Sequence, residues 1–295
     1  MRTHGQDPAV SAESERAGPG HAGEATAPAA VEFRQVSLAF DDNVVLRDLS
    51  FAVPRGAMRI LLGASGSGKT VMLKLMLGLL RPDAGHVLVN GEQVNTMTEE
   101  ELLPVRVGIG MVFQENALFD SLTVAENVGY GLSDRGVPAD QVRARVEEVL
   151  GFIGLGEYVD RLPAELSGGQ RRRVAIARAM APRPTLLLLD DPITGLDPLI
   201  ATTVDREIIK LRDLEHVTSI LVTHQIRDAF YIATHEAVRH DGRVRITAAE
   251  DSDSPLARFM LLREGQFRFE GSAEELLASD DPYVKEYLLK TLPPW

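Results

Sequence analysis

The chain has 295 residues, of which 44% are hydrophobic and 25% are charged. This composition excludes a wholly disordered or collagen-like protein and predicts a packed core. The formal net charge of −12 argues against a protein that coats nucleic acid or anionic lipid by bulk charge. The chain has no cysteine, which excludes disulfides, thiolate metal sites and a cysteine nucleophile, and favours a reducing cytoplasm.

The first 30 residues differ in composition from the rest of the chain. They are rich in Ala, Gly, Pro, Ser and Glu and lack the apolar stretch of a signal peptide, so we expect a disordered tail. The most apolar stretch, Val71 to Leu80, is shorter than the roughly 18 to 20 residues that cross a bilayer, and it contains Lys74. The sequence therefore predicts no membrane-spanning helix and a protein that stays where it is made.

From residue 31 onward the sequence predicts strands that alternate with helices. Apolar and polar residues alternate over residues 31–36 and 49–53, which indicates an antiparallel β layer. Further strands are predicted at residues 58–62, 105–113, 186–189 and 219–222, and helices at residues 71–80, 123–132, 138–153 and 171–180. This alternation is typical of an α/β protein with a parallel sheet and crossover helices.

A glycine-rich loop follows the strand predicted at residues 58–62. Its residues match the pattern G-x-x-x-x-G-K-[ST] and are Gly63, Ala64, Ser65, Gly66, Ser67, Gly68, Lys69 and Thr70. Glycines let successive backbone N–H groups and the following helix N-terminus face an anion. Lys69 would neutralise the β- and γ-phosphates of a nucleotide, and the Thr70 hydroxyl would bind Mg²⁺. The alternative, a flexible glycine turn, is disfavoured by the flanking strand and helix.

A nucleotide site needs a second protein oxygen for Mg²⁺. Asp190 follows four leucines, so its carboxylate is expected at the carboxyl edge of the predicted sheet. Taken alone, an aspartate at this place is as often a turn residue at the end of a strand. The phosphate loop in the same chain favours Asp190 as a metal ligand.

A second glycine-rich segment precedes the helix predicted at residues 171–180. Residues 166–170 read Leu-Ser-Gly-Gly-Gln, so backbone N–H groups, a helix dipole and the Ser167 hydroxyl would face an anion. The segment is identical to the signature motif of the ATP-binding cassette ATPases, and the chain resembles that family over about residues 31–271. The resemblance implies an α/β fold of the ABC-type P-loop NTPases, with a parallel core sheet, an antiparallel β subdomain and a helical subdomain at about residues 115–180.

The resemblance also implies a head-to-tail homodimer that binds ATP and Mg²⁺. In that family, the phosphate loop of one subunit and the signature loop of the other hold the same ATP. The signature loop of one subunit would therefore contact the nucleotide bound by the other, through Ser167, Gly168, Gly169 and Gln170.

Four residues outside the glycine loops match further elements of the family. They are Phe40, where an aromatic ring stacks on adenine; Gln114, in the Q-loop, which also contacts Mg²⁺; Asp197, in the D-loop; and His224, at the switch histidine. In isolation each has a plainer explanation, such as a core aromatic, a solvated loop glutamine or a helix-capping histidine. Their order and spacing favour the family roles.

The chain departs from the family directly after Asp190. The family usually has a glutamate there, which orients the attacking water, and this chain has Asp191. Aspartate is one methylene shorter, which withdraws the carboxylate by roughly 1.5 Å, and a misplacement of about 1 Å can lower a rate on the order of a hundredfold. We expect Asp191, with His224 and Gln114, to be catalytic and hydrolysis to be slow.

Two stretches resemble the Mla/Mce lipid-transport ATPases in particular. Residues 113–128 match FQ-x-x-ALFDS-LTV-x-ENV, and residues 280–287 are similar to tails in that group. This resemblance implies a peripheral subunit on the cytoplasmic face of an inner membrane that moves phospholipid or another lipid. Its partners would be MlaE-like permease subunits, an MCE-type substrate-binding protein and an accessory cytoplasmic subunit. Alternatively, Ala117, Leu118 and Phe119 are the surface that receives the coupling helix of any permease.

Three functions therefore compete. The chain is the motor of a lipid transporter, the motor of a transporter for another substrate, or a cassette protein that acts on DNA, ribosomes or iron–sulfur assembly without a permease. A single cassette without long coiled-coil insertions disfavours the third function, and we expect no nucleic-acid partner.

Three further segments carry predictions of their own. We expect a surface insertion at about residues 236–257, because this stretch is longer and more acidic than the usual hairpin. A C-terminal helical tail is predicted at residues 273–295. The run Arg171 to Arg173 is interpreted as the solvated, salt-bridged start of a helix.

Overall fold

The computed structural model describes residues 29–240, 242–249 and 257–292. The predicted disordered tail lies outside these residues, except that Ala29 and Ala30 are part of a strand, where the prediction was wrong. Within the described ranges, none of the helices has both the length and the apolar character needed to cross a bilayer.

The described elements alternate along the chain as predicted. The strands are β1 (Ala29–Phe40), β2 (Asn43–Pro54), β3 (Met58–Leu62), β4 (Ala84–Val89), β5 (Glu92–Gln93), β6 (Ile109–Val112), β7 (Leu186–Asp190), β8 (Thr218–Val222), β9 (His235–His240), β10 (Arg243–Ala248), β11 (Ala257–Arg263) and β12 (Gln266–Gly271). The helices are α1 (Lys69–Met76), α2 (Glu99–Val107), α3 (Val124–Ser133), α4 (Ala139–Phe152), α5 (Gly168–Met180), α6 (Pro198–Leu214), α7 (Ile226–Thr234), α8 (Ala273–Ala278) and α9 (Pro282–Thr291).

The described strands form two main sheets. An antiparallel sheet has the order β2-β1-β4-β5, which confirms the predicted antiparallel layer. The core sheet has the order β12-β11-β3-β8-β7-β6, and its strands are parallel except for the β11–β12 pair. Because parallel strands need crossover connections, helices pack on the faces of this sheet.

The central strands are buried on both faces, which explains their unbroken apolar runs. In β7, Leu187 and Leu189 point into the cluster formed with α3, α4, α5 and α6. Leu186 and Leu188 point into the second cluster, between α1 and the antiparallel sheet. Successive strand side chains face opposite sides, so a strand packed on both faces is apolar at every position.

Two predicted elements have the wrong bounds. The strand predicted at residues 105–113 is helical to Val107, because Thr98 and Glu101 form a capping box that starts α2 at Glu99. The helix predicted at residues 71–80 ends at Met76. Gly78 there takes a positive φ of 66°, and the Leu79 N–H donates to the Lys74 carbonyl at 2.9 Å, which is a helix-ending motif.

The helical segment at residues 124–180 contains α3, α4 and α5. The helices predicted at residues 123–132 and 138–153 are confirmed within one residue at each end. Gly129 of α3 lets α4 approach closely, since a Cβ there would lie 2.8 Å from Val142 Cγ1. This segment presents α5, and with it the signature loop, to one side of the core sheet.

Residues of the predicted insertion form a two-stranded antiparallel ribbon. β9 pairs with β10 from the Arg243–His240 pair to the Ala248–His235 pair. The acidic residues 250–256 lie outside the described residues. In the predicted C-terminal tail, α8 and α9 pack beside β11 and β12 at the end of the core sheet.

A buried carboxyl group of α6 lies near the charged residues at the start of α7. Asp205 of α6 is 1% exposed, and its Oδ1 has no hydrogen-bond partner among the described residues. Burial and the negative charge of Asp228 raise the pKa of Asp205 to about 8, against the opposing charge of Arg227. The folded protein therefore keeps a proton on Asp205 at a pH where the unfolded chain has lost it.

This proton makes stability depend on pH. Between pH 4 and 8 the folded state binds the extra proton, so the free energy of unfolding falls as pH rises, by up to about 1.4 kcal/mol per pH unit from this group. We expect Asp205→Asn, which stays neutral, to flatten that fall in denaturant titrations from pH 5 to 8. The exposed Asp160→Asn is the control, and an unchanged slope in Asp205→Asn would contradict the prediction.

Candidate functional site

Loops from four neighbouring strands meet at one edge of the core sheet. The strands β3, β8, β7 and β6 are adjacent and parallel, so their carboxyl ends lie side by side. In that order they lead into Gly63, His224, Asp190 and Gln114. This topology brings together segments that are far apart in sequence, as is typical of ligand sites in α/β sheets.

The phosphate loop, residues 63–70, requires glycine where the backbone packs tightly. A Cβ at Gly63 would lie 2.7 Å from the Leu262 carbonyl oxygen and 2.7 Å from Ser67 Oγ. Gly68 has a φ of 104° and is the N-cap of α1, so the first N–H groups of the helix are turned toward the loop. Glycine at these two positions leaves a backbone cradle that fits an anion.

The Lys69 side chain folds back over the phosphate loop. Its ammonium donates to the Gly63 and Ala64 carbonyl oxygens at 2.8 Å each, and the residue is 7% exposed. Burial lowers the pKa of Lys69, and the negative charges of Asp191 and Asp190 oppose that shift. The ammonium also lies 3.5 Å from Ser67 Oγ, and these neutral oxygens are weaker partners than the charged phosphate that would enter the loop.

Thr70 and Asp190 form a pair of oxygen ligands. The Thr70 hydroxyl donates to Asp190 Oδ1 at 3.2 Å, and Asp190 is 8% exposed. Burial raises the pKa of Asp190, and the Thr70 hydrogen bond opposes it. Among the described residues no group of three or more His, Cys, Asp or Glu is placed to hold a metal. The hydroxyl and carboxylate oxygens of Thr70 and Asp190 fit Mg²⁺, which takes few protein oxygens and completes its shell with phosphate and water.

Asp191 and His224 are in direct contact. His224 Nδ1 lies 3.0 Å from one carboxylate oxygen of Asp191 and 3.1 Å from the other, so Nδ1–H is the donor. Asp191 has a φ of 45°, and its backbone N–H donates to the Val222 carbonyl at 2.8 Å. Aspartate tolerates this left-handed conformation better than most residues. The carboxylate and the imidazole thus reach the cleft as one hydrogen-bonded unit.

The cleft beside the phosphate loop has a volume of about 450 Å³. Its wall brings together nine of the predicted residues, Phe40, Ser65, Gly66, Gly68, Lys69, Thr70, Gln114, Asp191 and His224, with Val45, Val71 and Val222. The predicted residues Gly63, Ala64, Ser67 and Asp190 are not in this lining. Phe40 is 45% exposed at the end of β1, so its ring is free to stack on a ligand. The volume is in the range of small-molecule sites.

The signature loop is not part of this wall within the residues that the structure describes. The prediction that α5 begins at Arg171 was wrong, because α5 begins at Gly168 with Ser167 as its N-cap. Ser167 Oγ accepts from the Gln170 N–H at 3.2 Å, and Gln170 Oε1 accepts from the Ser167 N–H at 2.8 Å. Gly168 and Gly169 are therefore in the first helical turn, and neither lines the cleft of the same chain.

Asp197, of the predicted D-loop, caps α6. Its carboxylate accepts from the backbone N–H groups of Leu199 and Ile200 at 3.1 Å each. The side chain is thereby engaged within its own chain, and Asp197 does not line the cleft among the described residues.

Two arginines of α5 make contacts with the loop at residues 113–117 that were not predicted from the sequence. Arg172 is 3% exposed and donates to the Phe113 and Gln114 carbonyls, so its interpretation as a solvated residue was wrong. Arg178 donates to the Asn116 and Ala117 carbonyls. The helical periodicity indicated that Arg172 is buried, because it lies four residues before the apolar Ile176 and therefore on the same face of α5.

Gly169 allows α5 and α6 to touch. A Cβ there would lie 1.9 Å from Cγ2 of the β-branched Ile200, which has little freedom to move away. We expect Gly169→Ala to destabilise the protein by about 1–3 kcal/mol through overpacking. Ile200→Ala should recover part of that loss in the double variant, measured by urea unfolding of all four proteins. Equal losses with and without Ile200→Ala would contradict the predicted contact.

The chain is similar in sequence to known transporter proteins. The family model described as ABC transporter matches residues 46–194. The chain is 40% identical over 224 residues to the sulfate/thiosulfate import ATP-binding protein CysA of Mycobacterium bovis, which covers 75% of this chain and 62% of that protein. It is 38% identical over 257 residues to the CysA protein of Gloeobacter violaceus, covering 86% and 73%. The chain thus spans about 62% of the length of the mycobacterial relative.

A solved structure matches as well. It is the dimeric ATP-binding cassette MJ0796 in a post-hydrolysis state bound to ADP and Pi, with a TM-score of 0.68, 27% identity, and coverage of 82% of this chain and 98% of that one. The fold is therefore that of the ABC ATPase cassette, with ATP and Mg²⁺ as its cofactors. The chain belongs to the ABC transporter family, as an ATP-binding subunit.

Proposed function

We propose that the chain hydrolyses ATP as one half of a homodimer and thereby drives a membrane transporter. The observation that carries this proposal is the incomplete site: one chain supplies the phosphate loop, the Mg²⁺ ligands and the Asp191–His224 pair, while its own signature loop lies outside the cleft. A second copy, placed head to tail, would bring Ser167 and its helix N-terminus to the open side of the bound triphosphate.

Nucleotide binding follows from the residues around the cleft. The Phe40 ring would stack on the adenine, and the N–H groups of residues 65–70 would donate to the phosphates. Lys69 would exchange its two carbonyl partners for phosphate oxygens. Thr70 and Asp190 would hold Mg²⁺, which neutralises the charge that develops on the transferred phosphoryl group.

Hydrolysis needs a water molecule held in line with the γ-phosphorus. Asp191 would accept a hydrogen bond from that water, and the Gln114 side-chain amide would form a second hydrogen bond with it. The water oxygen forms the new bond to phosphorus as the bond to the β–γ bridging oxygen breaks and ADP leaves. His224 would keep Asp191 oriented through Nδ1 and face the γ-phosphate with its other ring nitrogen.

The Asp191→Asn variant tests the hydrolytic role. The amide keeps the shape of the side chain but loses the negative charge that holds the water, so we expect ATPase turnover to fall by at least about a hundredfold. ATP binding should persist, and the variant should accumulate as an ATP-loaded dimer in size-exclusion chromatography. Turnover equal to that of the wild type would remove Asp191 from the mechanism.

The Asp191→Glu variant tests whether side-chain length limits the rate. A carboxylate that is one methylene longer reaches roughly 1.5 Å further toward the water, so we expect kcat to rise. The positive φ suits glutamate less well than aspartate, so we also expect a small loss of thermal stability. A fall in kcat would mean that the local backbone and His224 have adapted to aspartate.

An exposed aromatic patch on the helical segment would dock a permease. The rings of Phe119 and Tyr130 lie 4.6 Å apart between centroids, and the two residues are 42% and 45% exposed. An exposed aromatic pair of this kind fits an apolar helix end of a membrane partner. In this assembly the chain would lie peripherally on the cytoplasmic face of the membrane.

Lipid is the substrate that we favour, because residues 113–128 and 280–287 resemble the Mla/Mce group. The partners would then include MlaE-like permease subunits and an MCE-type protein. The relatives named above are sulfate/thiosulfate importers, so the support for lipid comes from these two segments alone. Import of a small oxyanion is the second candidate, and the 40% identity to those relatives favours it.

Measurements on the purified complex distinguish the two candidate substrates. We expect the chain, isolated from native membranes with its permease, to contain phospholipid above the level in a detergent control, as identified by mass spectrometry. Phospholipid should also stimulate the ATPase of the reconstituted complex. Absence of bound lipid, with stimulation by sulfate or thiosulfate and the corresponding binding protein, would favour the oxyanion importer.

A further inference from the structure

The loop at residues 113–117 holds a strained backbone at the edge of the cleft. Asn116 and Ala117 both have positive φ, 63° and 50°, although neither is glycine. Such conformations are strained in residues other than glycine and persist only where the surroundings impose them. Two short hydrogen-bonded turns, Asn116 N–H to Phe113 at 3.1 Å and Ala117 N–H to Glu115 at 2.7 Å, shape the loop from within.

Two arginines of α5 hold this loop from outside. The Arg172 guanidinium donates through Nη1 to the Phe113 carbonyl and through Nη2 to the Gln114 carbonyl, at 2.6 Å each. Arg178 donates to the Ala117 carbonyl at 2.6 Å and to the Asn116 carbonyl at 3.1 Å. One helix therefore binds four carbonyl oxygens of the loop that carries Gln114.

The two arginines differ in what else surrounds them. Burial lowers the pKa of both guanidinium groups, but the negative charge of Asp191 opposes the shift at Arg172. Arg172 thus lies within electrostatic reach of the residue at the water site. The Nε–H of Arg172 is also buried without a hydrogen-bond partner among the described residues.

We propose that Arg172 is a positioning residue for ATP hydrolysis, which fixes the Gln114 backbone beside Asp191 and so sets where the Gln114 amide meets Mg²⁺ and the attacking water. This inference rests on the proposed ATPase function. Arg172 acts through Gln114 and need not touch the nucleotide. The planar fork of arginine matters here, because a single guanidinium spans two neighbouring carbonyls in fixed geometry.

The same contact connects the two halves of the composite site. Arg172 lies in the second turn of the helix whose first turn carries Gly168 and Gly169. A displacement of the signature loop, when it engages the nucleotide of the other subunit, would move Arg172 and with it the Gln114 backbone. Engagement of the second subunit would thereby adjust the water site of the first.

Two variants, Arg172→Gln and Arg172→Lys, test the proposal, and Arg178→Gln is the matched control. Arg178 is a half-buried arginine of the same helix, and it binds the same loop away from Gln114. For each protein we would measure kcat, KM for ATP, the Mg²⁺ concentration at half-maximal rate, Tm, and hydrogen–deuterium exchange of the amides at residues 113–117 without nucleotide.

We expect Arg172→Gln to lower kcat by about tenfold or more and to raise the required Mg²⁺ concentration, with KM for ATP little changed. Exchange at residues 113–117 should accelerate. Arg178→Gln should accelerate exchange and lower Tm to a similar extent but keep its Mg²⁺ requirement and most of its kcat. Arg172→Lys keeps the charge but loses the fork, so it should fold and remain slow.

The outcomes separate this inference from the function on which it rests. If the wild type and Arg178→Gln do not hydrolyse ATP, the proposed function fails. If both hydrolyse ATP and Arg172→Gln matches Arg178→Gln in kcat and Mg²⁺ requirement, Arg172 has only a structural role and the inference is overturned. Full activity of Arg172→Lys would likewise overturn it, because charge alone would then suffice.

Discussion

The side-by-side ending of four parallel strands is the constraint on which the site depends. The strands β3, β8, β7 and β6 are buried on both faces, so neither their order nor their register shifts without exposing the core. Their carboxyl ends therefore fix the phosphate loop, His224, the Asp190–Asp191 pair and Gln114 relative to one another. These segments are far apart in sequence, and the sheet brings them together into a single site.

The packing of α5 supports the proposed homodimer. The signature loop lies on α5, which is held to the core by Arg172 and Arg178 and by the contact of Gly169 with Ile200. Among the described residues, Ser167 and the N-terminus of α5 lie outside the lining of the cleft of the same molecule. In the proposed homodimer, a second copy would bring this helix N-terminus to the bound nucleotide.

Much of the fold and of the site was predictable from the sequence, because apolar periodicity and glycine loops are local signals. The unbroken apolar run of β7 and the helical patterns of α3 and α4 were of this kind. The bounds at residues 105–107 depended on the capping box of Thr98 and Glu101, which overrides the strand preference of the valines. The contacts of Arg172 were not predictable from composition, because three consecutive arginines differ only in helix phase and in what the tertiary packing places beside them.

The central claim is that each nucleotide is held between two copies of the chain. Mixing two inactive variants tests it most directly: Lys69→Ala removes the phosphate-loop ammonium, and Ser167→Arg blocks the signature loop. In a mixed dimer both defects fall in one composite site and the other site is intact, so ATPase activity should return on mixing. If each site is complete within one chain, the mixture will stay as inactive as its components, and shared nucleotide binding is excluded.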